Sequence, residues 1–259
     1  MKSREKKRYR CKGKQKTSIK TRLGVIEFRR NVYMDNSVAE GSRCVHLLDE
    51  DLGIERIGQI AKEVCQAAGE LVCESSYRAA AKAITENSGL SISPQGVWNI
   101  VQKLGEMRSR QVERHTELAQ RKRGVGCIQS KILYEENDGI WLKLQGRDRK
   151  EHGTSKEMKV GIAYDGVTWQ HCKGGKKRRT LDCKVAHASF GPAQKFRESK
   201  EGIIASRYDV KAVTLRVING DGANWIQKTG GKDCICVLDK FHRNRKLTGC
   251  IRNKEFLQT

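Results

Sequence analysis

The spacing of hydrophobic residues changes twice along this chain, which divides it into a β-rich start, a helical middle and a strand-rich remainder. Two β-rich runs, 17–21 and 25–32, flank Arg22-Leu23-Gly24, and this pattern predicts a β-hairpin. From about Leu52, apolar residues recur every three or four positions, as in amphipathic helices packed around a core. After Ile128 the pattern favours strands again.

Two of the predicted helices, 76–86 and 93–104, are separated by a short turn that contains Gly89. Ser93 can cap the second helix, and Pro94 suits its first position, where a missing amide costs nothing. This arrangement is the outline of a helix-turn-helix, and an ordinary helical hairpin is the alternative. The polar side chains that a DNA-binding motif would place in the groove are Ser93, Gln95, Asn99 and Gln102.

The remainder of the chain is predicted to be a mixed α/β domain that begins near residue 128. A charged stretch, 105–124, predicts a solvated helix ahead of it, and Pro192 begins a further helix that extends to Arg207. The predicted strands are 132–136, 140–144, 158–164, 179–188, 212–218 and 234–239, and the first two are expected to pair around Asp138-Gly139. We therefore expect a basic arm and β-hairpin (1–50), a helical DNA-binding region (51–104), a charged linker helix (105–127) and the mixed domain (128–259).

Charge points to a polyanionic partner. The chain has 52 Lys and Arg against 30 Asp and Glu, and its net charge is +22. Neutralising phosphates releases condensed counterions, so double-stranded DNA is the expected partner, and a generally solvated basic surface is the alternative. No apolar run approaches the roughly 20 residues that span a bilayer, so we expect no membrane partner and a cytoplasmic, nucleoid-associated protein.

The basic residues expected to contact DNA form two groups. Residues 1–22 contain eleven Lys or Arg, which predicts an arm that is disordered when free. The first group continues from this arm into the hairpin and comprises Lys14, Lys16, Lys20, Arg29 and Arg30. The second lies in a basic turn of the mixed domain and comprises Lys176, Lys177, Arg178 and Arg179.

Two glycine-flanked acids are the candidate chemistry. Asp221 follows the run 212–218, and Asp138 lies in a comparable place after 132–136. Strand ends of an α/β sheet commonly carry functional residues, and two carboxylates suit Mg²⁺ or Mn²⁺ in work on phosphates. The alternative is that each Asp serves only its local turn.

Asp239 and His242 follow the last predicted strand and form the supporting candidates. His242 would contact a phosphate or orient the metal site. The alternative is that Asp239 only caps the following helix through backbone amides.

Four segments together resemble the ISLre-type transposases of bacterial insertion sequences, long catalogued as an uncharacterised protein family. They are Lys14-Gln15-Lys16-Thr17-Ser18-Ile19-Lys20-Thr21 with Gly24-Val25-Ile26-Glu27, Asp138-Gly139-Ile140-Trp141-Leu142-Lys143-Leu144-Gln145-Gly146, Gly220-Asp221-Gly222-Ala223-Asn224-Trp225-Ile226, and Leu238-Asp239-Lys240-Phe241-His242-Arg243-Asn244. The resemblance covers essentially the whole chain. This family is similar to Mutator-type enzymes. The resemblance therefore implies an RNase H-like domain with three catalytic acids.

The resemblance implies that Asp138 and Asp221 are the first two acids and that Asp239 and His242 belong to an Asp/Cys-x-x-His element. The third acid, a glutamate, is implied to lie further downstream than this chain extends. We therefore expect a transposase fragment with a partial RNase H-like domain that binds element-end DNA without cutting it, and that is marginally stable or self-associates. The alternatives are a non-catalytic DNA-binding protein and a structure-selective nuclease of the same fold.

Overall fold

Mixed α and β structure is distributed over two compact units, Met1–Ser109 and Arg110–Thr259. The computed structural model describes residues 8–37, 43–51, 59–171, 177–227 and 233–252. An antiparallel hairpin begins the first unit and a mixed sheet forms the second, which confirms the predicted fold class. Within these ranges, no helix is long and apolar enough to cross a membrane.

The first unit begins with a long β-ribbon. Strands β1 (Tyr9–Thr21) and β2 (Gly24–Asp35) are antiparallel, and β3 (Arg43–Val45) pairs with β2. The expectation of a disordered arm over residues 1–22 is wrong for Tyr9–Thr21, because the ladder with β2 satisfies that backbone. The Arg8 guanidinium, 3.0 Å from Asp35 Oδ2, closes the open end of the ribbon. Residues 1–7 lie outside the described ranges.

Helices complete the first unit. They are α1 (Leu47–Asp51), α2 (Lys62–Glu74), α3 (Tyr77–Asn87) and the first part of α4 (Pro94–Gln120). The Ser93 hydroxyl accepts from the Gly96 amide at 3.0 Å, which confirms the predicted cap. The Ser76 hydroxyl caps α3 in the same way and accepts from the Ala79 amide at 3.2 Å. The core that α2, α3 and α4 share includes Val64, Ala68, Ala80, Ala81, Val97 and Ile100.

The predicted linker helix is the continuation of α4, which extends unbroken from Pro94 to Gln120. Gly105 lies within it, and a single glycine costs a helix interior only about 1 kcal/mol, which is too little to interrupt 27 residues.

The second unit contains a five-stranded sheet and a separate hairpin. Its elements are β4 (Ile132–Lys143), α5 (Gly146–His152), β5 (Ser155–Tyr164), β6 (Gly166–His171), β7 (Lys177–Asp182), β8 (Val185–Ser189), α6 (Ala193–Ala205), β9 (Leu215–Gly220), α7 (Asn224–Gln227), β10 (Cys234–Leu238) and α8 (Lys240–Arg252). The sheet order is β10-β9-β4-β5-β8, and among the described strands β6 pairs only with β7. Strands β4, β9 and β10 are parallel to one another, and β5 is antiparallel to β4 and β8.

The predicted pairing of 132–136 with 140–144 is wrong, because both runs belong to the single strand β4. The turn propensity of Asn137-Asp138-Gly139 is overridden by a ten-residue antiparallel ladder with β5, from Tyr134↔Tyr164 to Lys143↔Ser155. Asp138 therefore lies in the middle of a strand and not in an open turn. The predicted strand 179–188 is two strands, β7 and β8, separated at Cys183, whose φ is +49°.

Helix α6 covers one face of the sheet. Leu133, Glu135 and Asn137 point to that face and are buried, as alternation along a strand requires. On the opposite face, apolar side chains that include Ile140, Ile235 and Val237 are 42–52% exposed. Glu136 and Asp138 belong to this open face.

Candidate metal and nucleic-acid site

Asp138 and Asp221 occupy corresponding positions on neighbouring strands. The parallel ladder between β4 and β9 ends with the pair Asn137↔Gly220, and each Asp is the next residue. Neighbouring strands lie about 4.8 Å apart, so the backbones of the two acids are adjacent just beyond the last pair of the β4–β9 ladder. The sequence predicted both residues as candidates, and this register brings their backbones together.

Each of these aspartates also holds its own backbone. Asp138 Oδ1 accepts from the Gly139 amide at 2.8 Å, and Asp221 Oδ1 accepts from the Ala223 amide at 2.8 Å in the turn that begins α7. These bonds orient the carboxylates and use one oxygen of each. A carboxylate has about four lone-pair sites, so the local role of each Asp is compatible with metal binding.

Asp239 extends the row of acids to a third strand. Leu238 pairs with Gly220, so Asp239 is the residue after the last pair of the β9–β10 ladder. Its Oδ1 accepts from the His242 amide at 2.9 Å at the start of α8, and its Oδ2 lies 2.5 Å from His242 Nδ1. Burial raises the pKa of Asp239, but these hydrogen bonds outweigh burial and leave the pKa below its ordinary value. The capping role is therefore real, and it also fixes the His242 ring.

The two carboxylates Asp138 and Asp221 suit Mg²⁺ or Mn²⁺, which can be bound by few protein ligands. Within the described ranges, no three Asp, Glu, His or Cys residues converge closely enough to hold a metal by themselves. Mg²⁺ usually binds one or two carboxylates and completes its shell with substrate phosphates and water. Asp138 and Asp221 are two such carboxylates, so the residues present fit an ion that is held jointly with a phosphate.

A cluster that the sequence did not reveal connects the β6–β7 hairpin to β4. Tyr164 donates to Glu136 Oε1 at 2.8 Å, and Arg179 donates to the Tyr164 hydroxyl at 3.2 Å. Burial, followed by the bond to Glu136, raises the pKa of Tyr164 to about 12. Glu136 lies two residues before Asp138, on the same face of β4, so Arg179 reaches the face that carries the first acid.

The opposite face of β4 carries a buried ionic network. Lys200 Nζ donates to Glu135 Oε2 at 2.6 Å and to Asn137 Oδ1 at 2.8 Å. Arg216 lies 3.3 Å from Glu135 Oε1 and makes two bonds of 2.8 Å to Glu201. This network joins α6 to β4 and, through Arg216, to β9, the two strands whose last paired residues precede the acids.

The basic ribbon of the first unit presents most of its predicted DNA contacts to solvent. Lys14, Lys16 and Lys20 alternate along one face of β1, and Arg29 is paired with Lys16 on that face. Arg30 differs, because it forms a largely buried ion pair with Asp49. The exposed basic face therefore consists of Lys14, Lys16, Lys20 and Arg29.

The helix-turn-helix candidates lie on the first turns of α4. Gln95 and Asn99 are exposed, and Gln95 Nε2 donates to Asn99 Oδ1 at 3.1 Å, so they form a paired polar edge. The Ser93 hydroxyl is engaged as the helix cap. In the basic turn of the second unit, Lys177, Arg178 and Arg179 lie on β7, and Lys176 lies outside the described residues.

The ribbon and the helices of the first unit are joined by backbone bonds. The Lys20 amide donates to Gln59 O and the Ala61 amide donates to Lys20 O, both at 2.8 Å. The Gly89 amide, in the turn between α3 and α4, donates to Arg22 O at 3.3 Å. The exposed basic face and the polar edge of α4 are therefore parts of one folded body.

Comparison with known proteins assigns the chain to a family. Residues 1–258 match the uncharacterised protein family UPF0236. A UPF0236 protein of Streptococcus gallolyticus, named for the vanSb 3′ region, is 23% identical over 88% of this chain and 47% of its own length. A UPF0236 protein of Caldanaerobacter subterraneus subsp. tengcongensis is 29% identical over 93% of this chain and 46% of its own length. The name of another relative from that organism joins eleven gene designations.

The chain spans less than half the length of these curated relatives. The family match nevertheless extends through both compact units and includes each candidate residue named above. The chain therefore belongs to the uncharacterised protein family UPF0236.

Proposed function

We propose that this chain is the DNA-binding and two-acid part of an ISLre-type insertion-sequence transposase, which cleaves and joins DNA strands at element ends with Mg²⁺ or Mn²⁺. The observation that carries the proposal is the register of Asp138 and Asp221, which directly follow the paired residues Asn137 and Gly220 on parallel strands. Two carboxylates at one level of a sheet suit an ion shared with a phosphate.

The architecture around the acids supports an RNase H-like interpretation. Three antiparallel strands, β4, β5 and β8, are followed by α6 and by two strands, β9 and β10, parallel to the first. The first acid lies on the central strand and the second follows its parallel neighbour. This placement agrees with the first two acids that the family resemblance implies.

A relative's name supplies separate support. It joins eleven gene designations from one organism, which is the pattern expected of a sequence present in many copies. Copying within a genome is the consequence of transposition. Together with the charge of +22, this pattern favours a mobile-element enzyme over a nuclease with a single housekeeping gene.

The side chains have distinct roles in the proposed chemistry. A divalent ion at this site would supply Lewis-acid stabilisation of the scissile phosphate and lower the pKa of an attacking water or 3′-hydroxyl. Asp138 and Asp221 would hold that ion, each oriented by its bond to a backbone amide. Asp239 would fix the His242 ring beside the row of acids, where it can donate to a phosphate oxygen.

A non-catalytic DNA-binding protein is the second candidate. The first unit favours it, because the exposed basic face and the polar edge of α4 need no metal to bind a duplex. In this case Asp138 and Asp221 would act only in the local backbone bonds described above.

The two candidates differ in a strand-transfer assay with a full-length family member that carries both matched acids. Replacing the residue equivalent to Asp138 or Asp221 with Ala should abolish Mn²⁺-dependent cleavage and joining of element-end DNA, while duplex affinity stays within about twofold. Replacing the residue equivalent to the exposed Asp148 is the control. Cleavage that survives both substitutions would exclude the proposed catalytic role.

A second experiment uses the chain itself. It should bind a labelled duplex with an affinity that falls steeply as salt rises, since phosphate contacts release counterions. A chain that binds no duplex at low ionic strength would contradict both candidates.

A further inference from the structure

The β6–β7 hairpin presents an aromatic and basic surface that the proposed catalytic acids do not explain. Trp169 is directly paired with Arg179, and His171 with Lys177, so these four side chains share one face of the ribbon. Trp169 is 59% exposed, which is unusual for the side chain that has the most apolar area to bury.

This face of the β6–β7 hairpin contacts the face of the sheet that carries Asp138. Arg179 donates to the Tyr164 hydroxyl, which donates to Glu136, and the Arg179 guanidinium lies 3.8 Å from Glu136 Oε1. Glu136 shares its face of β4 with Asp138. Because Trp169 is the cross-strand neighbour of Arg179, it lies on the same face of the β6–β7 hairpin as the Arg179 side chain that contacts Tyr164 and Glu136.

We propose that the β6–β7 hairpin binds an unpaired stretch of DNA, with Trp169 stacked on a base and Lys177, on the same face, at the adjoining phosphate. This inference rests on the proposed function, because it places the unpaired strand beside the acids Asp138 and Asp221. An exposed aromatic ring among cations is the chemistry by which proteins bind single strands.

A single strand suits this surface better than a duplex does. Bases in a duplex are already stacked on one another, so an isolated Trp gains a stacking partner only where a base is unpaired. Such bases occur at cut or melted DNA ends, where a strand-transfer reaction takes place.

Fluorescence anisotropy with the whole chain tests the proposal in EDTA, which removes any metal-dependent reaction from the measurement. The probes are a labelled 15-nucleotide single strand and a labelled duplex. Trp169→Ala should weaken single-strand binding about tenfold, and Trp169→Phe should retain most of the affinity. Duplex affinity should change less than about twofold, since the β1–β2 ribbon and α4 of the first unit supply the duplex contacts.

Trp141→Ala is the matched control. Trp141 is 68% exposed in the same unit and lies on the opposite face of β4 from Glu136, so its loss should leave single-strand affinity unchanged. A single strand containing 2-aminopurine adds a readout that does not depend on the folding of an Ala variant. Its fluorescence should be quenched by the wild-type chain, through base–indole stacking, and quenched less by Trp169→Phe.

The outcomes separate the two proposals. Duplex binding without single-strand binding, equal losses in Trp169→Ala and Trp141→Ala, or quenching unaffected by Trp169→Phe would each overturn the hairpin assignment and leave the proposed function intact. Trp169-dependent single-strand binding, found in a family whose matched acids prove dispensable for strand transfer, would retain the hairpin as a binding site and overturn the catalytic proposal.

Discussion

Lys200 Nζ lies 2.6 Å from Glu135 Oε2, and the two side chains are only 5% and 0% exposed. The pair joins α6 to the central strand β4, next to the residues that precede Asp138. A buried ion pair of this kind adds little net stability, but removal of one partner leaves an uncompensated charge inside the protein.

Lys200→Met should therefore lower the free energy of unfolding by about 3–5 kcal/mol, measured by urea denaturation. The control is Lys195→Met on the exposed side of the same helix, which should change stability by less than about 0.5 kcal/mol. The double variant Lys200→Met with Glu135→Gln should recover part of the loss, because the orphaned charge is gone. A cost below about 1 kcal/mol for Lys200→Met would show that Arg216, 3.3 Å from Glu135 Oε1, is enough to compensate the remaining charge.

The close approach of α6 to the C-terminal part of α4 gives a second prediction. A Cβ on Gly202 would lie 2.6 Å from the Thr116 backbone nitrogen, whereas a Cβ on Gly105 would meet nothing among the described residues within 4 Å. Gly202→Ala should thus destabilise the chain by about 1–3 kcal/mol, and Gly105→Ala should stabilise it by up to about 1 kcal/mol. Thermal unfolding of the two variants checks both signs, and stabilisation by Gly202→Ala would contradict the packing described.

Local patterns predicted the elements of this fold better than their connections. The hairpin turn, the Ser93 cap and the helix after Pro192 follow from short-range chemistry, and the structure contains all of them. The continuity of β4 could not be predicted, because Asp138-Gly139 favours a turn until β5 pairs alongside it. The start of β1 was missed for the same reason, since only the partner strand stabilises such a polar run.

The pKa of Asp239 predicts an acid-sensitive start to α8. Although burial raises this pKa, hydrogen bonds from His242 bring it below the ordinary value of 3.8. A group with a lowered folded-state pKa stabilises the fold above its unfolded-state pKa, and that stabilisation is lost as the pH falls through the folded-state value.

Carboxyl NMR titration should thus give Asp239 a midpoint below 3.8, and protection of the His242 amide from hydrogen exchange should decline over the same range. Asp239→Asn retains a capping oxygen and has no charge to titrate, so its protection should depend less on pH. A midpoint above 3.8 would mean that burial outweighs the bonds to His242.

The polar edge of α4 should determine sequence preference. Gln95 and Asn99 are joined by a 3.1 Å hydrogen bond, which pre-orients both amides. Either substitution to Ala should reduce discrimination between DNA sequences by about 1–3 kcal/mol, with a modest loss of overall affinity.

Three further variants make this DNA-binding test specific. Gln66→Ala, at an exposed glutamine on α2, should leave sequence preference unchanged. Lys14→Ala and Lys16→Ala should weaken binding to all sequences alike and reduce the salt dependence. If the Gln95 and Lys14 variants behave identically in binding-site selection, α4 is not the reading element.

The candidate residues differ in how the sequence indicated them. Asp138 and Asp221 became candidates because each precedes a glycine and follows a predicted strand. The positions of Asp138, Asp221 and Asp239 at the same point along neighbouring strands depend on strand register, which no local pattern specifies. The Tyr164–Glu136 contact joins residues 28 positions apart, and the Lys200–Glu135 pair joins residues 65 apart, so neither had a local signal.

The central claim is that Asp138 and Asp221 hold one divalent ion together. Broadening of backbone amide NMR signals by added Mn²⁺ tests it most directly, with Gly139 reporting on one acid and Gly222 on the other. The two signals should broaden over the same Mn²⁺ concentrations, and Asp138→Asn should abolish broadening at Gly222 just as Asp221→Asn abolishes it at Gly139. Asp148→Asn should change neither response. Broadening that persists at the two glycines after either substitution, or that is absent from both glycines in the wild-type chain, would contradict a shared site.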